Sequence, residues 1–326
     1  MAIQMRTIQT GDQLDHHLVE GLLAPGNAAS IFSPTELCTN QPVAIKVPHP
    51  AVEGETLFYE RLLREEKIGQ KLDHPAVVKT IRDDRRSRVY VVMELVHGKL
   101  LRHLLSERGK LPMDRAVRIA SAICEALGYI HSHGVIHRDI KPENIIVDGE
   151  DRVKLIDFGI ASLAGARRLT FGKLSQVMGT PDYISPEQVA GKRGDERSDI
   201  YALGVMLYEM LTGETPFASG NPFVTMRKRL VDNPVPLREL DRNITPELQQ
   251  VVSRALERNP ENRYPNASEF LNDLLHLESV KVIDDVEPHD GPQKPISWKR
   301  AVLFYGTLAM VPLCIMAVLL FVAGRG

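Results

Sequence analysis

The feature that most constrains this sequence is a change of hydrophobic period part-way along it. Val43 to Val47 (VAIKV) and Val89 to Met93 (VYVVM) are short, β-branched runs bounded by turn residues, and they read as buried strands. Between them, residues 56–72 carry helical spacing with mixed charge. From Asp114 onward the period is helical. DRAVRIASAICEALGYIHSHG repeats apolar residues at three and four, with Asp114 as N-cap and Gly134 as stop. Ser198 to Leu211 (SDIYALGVMLYEML) is apolar nearly all round, which predicts a central core helix ending at Gly213. A strand-rich first part followed by a helical second part predicts an α+β chain of two lobes with a cleft between them. The 326 residues, 43% of them hydrophobic, suffice to build both.

Charge and cysteine usage narrow the classes. Lys plus Arg is 40 and Asp plus Glu is 42, a net charge of −2 that gives no support to a nucleic-acid-coating protein. Cys38, Cys124 and Cys314 are scattered and odd in number, so neither a metal pair nor a disulfide framework is expected, and the compartment reads as reducing. No secretory leader is expected in the first twenty residues, which mix Arg6, Asp12, Asp15 and His16 with short apolar stretches. Residues 301–323, in contrast, run 23 positions without a charge. At ~1.5 Å per residue they would cover ~34 Å, slightly more than the ~30 Å bilayer core, so a single transmembrane helix is expected, kinked at Pro312. Lys299 and Arg300 precede it and only Arg325 follows, which places the N-terminal side in the cytoplasm. The expected division is a segment 1–14, a bilobal domain 15–277 (lobes about 15–96 and 97–277), a Pro- and Asp-rich juxtamembrane linker 278–300, the membrane helix 301–323 and a tail 324–326.

The densest chemistry lies in His137-Arg138-Asp139-Ile140-Lys141-Pro142-Glu143-Asn144, followed by Asp157-Phe158-Gly159. Phosphoryl transfer needs divalent metal and fixed cations for spread negative charge, and one carboxylate to orient the attacking hydroxyl. Asn144 and Asp157 are hard oxygen donors of the kind magnesium takes. Asp139 is then free to accept the hydroxyl proton, with Lys141 two residues on in reach of the transferring phosphate.

Here the chain resembles the eukaryotic-type (Hanks-type) protein kinases, in particular their bacterial membrane-anchored serine/threonine members. HRDIKPEN matches the catalytic-loop pattern and DFG the metal-binding pattern, over a resemblance spanning roughly residues 15–275. The resemblance implies a bilobal kinase-like fold and a protein serine/threonine kinase using ATP with Mg2+ (or Mn2+). It implies Lys46 in VAIK as the holder of ATP phosphates, and Glu65 as its helical ion-pair partner with Glu66 as fallback. It implies Met93 as gatekeeper and Glu94 to Val96 as the adenine-binding hinge, with Gly26, Ile31, Ala44 and Ile146 also on the nucleotide. Asn144 and Asp157 would bind both nucleotide and metal. Gly179-Thr180-Pro181 and Ser185-Pro186-Glu187 resemble the end of the activation segment, with Ser185 in place of the usual alanine. Asp199 and Gly204 resemble the pair tying the catalytic loop to the core helix, and Arg263 the buried partner of Glu187. Arg138 implies a phosphate on the activation segment, with Thr170 and Ser175 as candidates and Ser162 behind them. Protein substrates, the lipid bilayer and a homodimer for trans-autophosphorylation are the implied partners.

Two departures bear on activity. The family's glycine-rich loop falls on Ala24-Pro25-Gly26-Asn27-Ala28-Ala29-Ser30-Ile31, where only the middle glycine survives, so weak ATP binding is expected. The apolar stack behind the active site falls on Gly69 and Thr80 beside Phe158 and His137, or, one residue on, on Ile68 and Ile81. With glycine in the stack, the Glu65 helix is expected to rest in an inactive position. Glu143 offers a charge that could favour basic residues near the acceptor. The competing readings are a membrane-anchored pseudokinase acting as a binding module, to which the worn loop points, and a small-molecule phosphotransferase of the same fold.

Overall fold

The computed structural model describes residues 7–26, 28–52, 56–158, 162–163 and 181–283. The first part forms a six-stranded antiparallel sheet of β1 (Gln13–Leu14), β2 (His17–Ala24), β3 (Ala29–Glu36), β4 (Gln41–Pro48), β5 (Thr80–Ile81) and β6 (Val91–Glu94), in the order β1-β2-β3-β4-β6-β5. Alternation along β4 decides what each face does. Val43, Ile45 and Val47 join Leu14, Val19, Phe32, Tyr90 and Val92 in a small core of their own. Lys46 lies between these positions and so projects from the opposite face. Helix α1 (Thr56–Gly69) follows β4 and buries Leu62 and Ile68. It stops at Gly69, three residues short of the expected Leu72, and the chain turns there through hydrogen bonds from Lys71 to Ile68 and from Leu72 to Gly69.

The second part is helical. It comprises β7 (Lys99–Leu100), α2 (Leu101–Arg108), α3 (Met113–Ser132), β8 (Val135–Ile136), β9 (Ile145–Val147), β10 (Val153–Leu155), β11 (Ser162–Leu163), α4 (Pro186–Val189), α5 (Glu196–Thr212), α6 (Pro222–Val231), α7 (Leu237–Leu240), α8 (Pro246–Ala255) and α9 (Ala267–Leu275). Helix α5 buries every residue from Ser198 to Leu211. Asp195 caps its first turn by accepting the Arg197 N–H, and Gly213 ends it at φ +87°, a left-handed C-cap that glycine adopts without a Cβ penalty. Around α5, helices α3, α8 and α9 contribute Ile119, Ile123, Leu127, Leu248, Val252 and Phe270 to one large core. Asp114 is not the N-cap of α3. Extended Pro112 precedes the helix, so Asp114 sits in the first turn, where its charge still complements the helix dipole.

The loop between β8 and β9 carries residues 137–144, and β10 leads into residues 156–158. Thr170, Ser175 and Thr180 lie outside the described residues, as does the expected membrane helix 301–323. Among the described residues no helix is long and apolar enough to cross a membrane.

Candidate active site

Lys46 stands on β4 in register with Ile31 on β3 and Val91 on β6, so sheet pairing fixes its backbone from both sides. Its Nζ donates to both Glu65 carboxylate oxygens at 3.0 and 2.9 Å and to Asp157 Oδ1 at 3.2 Å. Burial works against the Lys46 charge, but the two carboxylates outweigh it and hold the ammonium well above its usual range. Burial pushes Glu65 the other way, up to about 7, against the pull of Lys46. Glu66 is not the partner of Lys46. It receives Arg86 Nη2 at 2.8 Å, and the Arg86 guanidinium also donates to the Tyr90 carbonyl. The adjacent carboxylates of α1 are thus pinned by different cations.

The second half of the site is held from below. Asp199 is fully buried and accepts the backbone N–H groups of His137 at 2.9 Å and Arg138 at 2.7 Å, together with His131 Nε2 at 2.8 Å. Burial disfavours the Asp199 charge, yet these bonds bring its carboxyl below the ordinary value. Arg138 and Asp157 adopt φ +67° and +66°, a region that costs a non-glycine residue energy and persists only where surrounding bonds fix it. Asp139 accepts Lys141 Nζ at 2.6 Å, and Asn144 Nδ2 donates to the Asp139 carbonyl at 2.8 Å and to its Oδ2 at 3.2 Å. Burial raises the Asp139 carboxyl in spite of Lys141. The Ile156 N–H donates to the Asn144 carbonyl at 2.9 Å, tying the segment of Asp157 to the loop of Asp139.

At the far end of the cleft Ala44 pairs with Met93, while Met93 and Val96 pack on the large core. The Glu94 side chain accepts the Lys79 N–H at 2.8 Å and is ion-paired with Lys154, and the Glu94 N–H donates to the Lys79 carbonyl. The Glu94 carboxylate is therefore already engaged. Ile146 sits on β9 opposite Leu100 and Lys154. At Gly26, an added Cβ would lie 2.3 Å from the Ala29 carbonyl oxygen, so the turn between β2 and β3 closes too tightly for another residue there.

The stack behind the site corrects one expectation. A Cβ at Gly69 would lie 1.9 Å from Thr80 Oγ1, so these two positions abut, and His137 and Phe158 meet at 5.2 Å between ring centroids. The one-residue shift fails because Ile81 is exposed. Helix α1 is nevertheless not in an inactive position, since Lys46 and Glu65 are joined. Two small residues let the helix approach β5 closely, so the missing side chain is met by contraction rather than by a gap. Glu143 is not a free charge either: Arg102 Nε donates to it at 2.8 Å, and Nη1 of the same arginine donates to Glu209 at 2.7 Å. Farther out, buried Arg263 holds both Glu187 oxygens, at 2.9 and 2.7 Å. Sequence reasoning missed Arg86 and His131. Arg86 lies in the run RDDRRSR, where nothing local distinguishes one arginine from the next.

A model of the protein kinase domain matches residues 19–275, and the chain belongs to that family. It is 36% identical over 285 residues to the serine/threonine-protein kinase PknB of Mycolicibacterium smegmatis, covering 84% of this chain and 45% of that protein. It is 35% identical over 275 residues to a probable serine/threonine-protein kinase of Clostridium acetobutylicum, covering 84% of this chain and 41% of the relative. The chain thus spans a little under half the length of these relatives, whose names are those of serine/threonine-protein kinases. The solved PknI kinase domain of Mycobacterium tuberculosis shares the fold, with a TM-score of 0.65 and 24% identity over 83% of this chain and all of that one.

Proposed function

We propose that this chain transfers the γ-phosphoryl group of ATP to serine and threonine hydroxyls of proteins. The observation that carries the reading is a pair of bonded clusters, Lys46 with Glu65 and Asp157, and Asp139 with Lys141 and Asn144, tied together by the Ile156 N–H on the Asn144 carbonyl. Asp139 would orient the acceptor hydroxyl and take its proton as the oxygen bonds to phosphorus and the bridging oxygen leaves with ADP. Its raised carboxyl is more basic than an exposed aspartate, which suits that task. Lys141 would neutralise charge on the moving phosphoryl group, and Lys46, kept protonated and aimed by Glu65, would hold the nucleotide phosphates. The donor set fits a magnesium ion, since Asp157 and Asn144 offer hard oxygens of the kind it takes. Bound there, the ion would neutralise phosphate charge. Ala44, Met93, the Glu94 carbonyl, Val96, Ile31 and Ile146 would enclose the adenine end, with Gly26 above the phosphates.

Autophosphorylation on Thr170 or Ser175 belongs to the same proposal. Burial and nearby Arg193 pull Arg138 down to about 10, and among the described residues its Nε has no hydrogen-bond partner. An incoming phosphate would relieve both conditions. Anchoring by residues 301–323 with the kinase domain in the cytoplasm, and pairing of copies for activation in trans, complete the reading. The worn turn at Ala24 and Ala29 favours the alternative of a pseudokinase. Incubation with labelled ATP and Mg2+ separates the two. Label on protein serine or threonine that vanishes in Asp139→Asn supports the kinase, whereas no label above the level of that variant leaves the binding module.

A further inference from the structure

In the β-rich part, on residues other than those of the candidate active site, three ligating side chains point at one another. His16 Nε2 lies 3.5 Å and His17 Nε2 3.3 Å from the same oxygen, Asp83 Oδ2. His17 and Asp83 are buried and His16 nearly so. Adjacent residues of a regular strand would project to opposite faces. Here Asp15 turns the chain at φ +52° just before them, and the two imidazoles come together with ring centroids 4.1 Å apart. Asp83 arrives from the connection between β5 and β6. Its Oδ1 is fixed by the Arg85 N–H at 3.0 Å and its Oδ2 by the Tyr90 hydroxyl at 2.9 Å.

We propose that His16, His17 and Asp83 form a site for a divalent transition ion of the zinc class. Hydrogen bonding alone explains the cluster poorly. Three groups crowd one carboxylate oxygen, and both imidazole distances exceed the ~2.7–2.9 Å of a charge-assisted bond. They equal the edge of a tetrahedral shell, about 3.3–3.5 Å for metal bonds of about 2.0–2.1 Å. The Arg85 N–H and the Tyr90 hydroxyl hold the Asp83 carboxylate in place for that role. Glu36 adds a second negative charge, its Oε1 3.8 Å from His16 Nε2. Two imidazoles with a carboxylate suit zinc over magnesium, so the site differs in kind from the one at Asp157. It also has a place in the lobe's mechanics. The connection carrying Asp83 also carries Arg86, which holds Glu66 next to Glu65.

The test uses the purified full chain, stripped with chelator and titrated with Zn2+ and with Co2+ as a spectroscopic probe. Expected are one equivalent of tight Zn2+ binding by calorimetry, visible d–d bands with Co2+, and a rise in melting temperature that Mg2+ at the same concentration does not give. His16→Gln, at a partly exposed position that the core does not need, should weaken Zn2+ binding by about tenfold or more while melting normally without metal. In Asp157→Ala the Zn2+ response should persist. No stoichiometric binding to the wild type, unchanged affinity in His16→Gln, or loss of the response in Asp157→Ala would each overturn the assignment.

Discussion

Glu187→Gln tests the fold at a charge enclosed by the core. The Arg263 side chain is completely buried and all five of its N–H donors are used. Two go to Glu187, and the others to the carbonyls of Glu257 at 2.7 Å, Arg197 at 3.0 Å and Arg258 at 3.1 Å. The guanidinium also lies 4.7 Å above the Tyr201 ring, against the central helix. Glutamine keeps the shape of Glu187, removes its charge and turns one acceptor into a donor that faces a donor. Leaving a buried cation without its counter-charge costs about 3–5 kcal/mol, a large share of a typical ~5–15 kcal/mol stability. Urea unfolding at pH 7 should show that loss. The pH dependence supplies a second reading. Burial opposes ionisation of Glu187, but Arg263 overcomes it and brings the carboxyl from 4.5 to about 2. A depressed carboxyl contributes stability that is complete above its unfolded value and lost as pH falls through the folded one. The gap between wild type and variant should therefore narrow as pH drops from about 4.5 toward 2. A variant within ~0.5 kcal/mol of wild type at pH 7, or a gap that stays constant through that window, would refute the reasoning.

Two further outcomes follow from named contacts. Gly69→Ala would ordinarily stabilise a helix by ~1 kcal/mol, but here the new Cβ meets Thr80 Oγ1 at 1.9 Å and Thr80 Cβ at 2.8 Å. Overpacking of this kind costs about 1–3 kcal/mol, so calorimetry should record a lower melting temperature, and a higher one would contradict the close approach of α1 to β5. ATP with Mg2+ should bind weakly because Ala24 and Ala29 replace the outer glycines of the phosphate loop. A titration giving low-micromolar affinity would show that the backbone cradles phosphate without them.

What the sequence made legible were features whose cause is local. The short β-branched run of β4 and the unbroken apolar surface on α5 each call for burial, and each element is found buried where that pattern placed it. Partnerships across the chain were legible only where a counted motif supplied the spacing, as for Lys46 and Glu65, 19 residues apart. Where the deciding partner lay far off and unmarked, composition could not choose. Glu65 and Glu66 are alike in sequence, and Arg86, 20 residues on, is what takes the second out of contention. Glu143 looked free until Arg102, 41 residues before it, was found to hold it. Gly69 shows why a missing side chain was misjudged as a weakness. A sequence registers glycine in a helix as lost packing, since it has no way to express that the facing residue is also small. Once Thr80 occupies that space, backbone and strand draw together, and the C-terminal half of α1 is held twice. Contact with β5 fixes its C-terminal end, and the ion pairs of Glu65 and Glu66 hold the turn before it. A leucine there would push α1 away from Thr80, so the smallness of both residues and the closed Lys46–Glu65 pair belong to one arrangement.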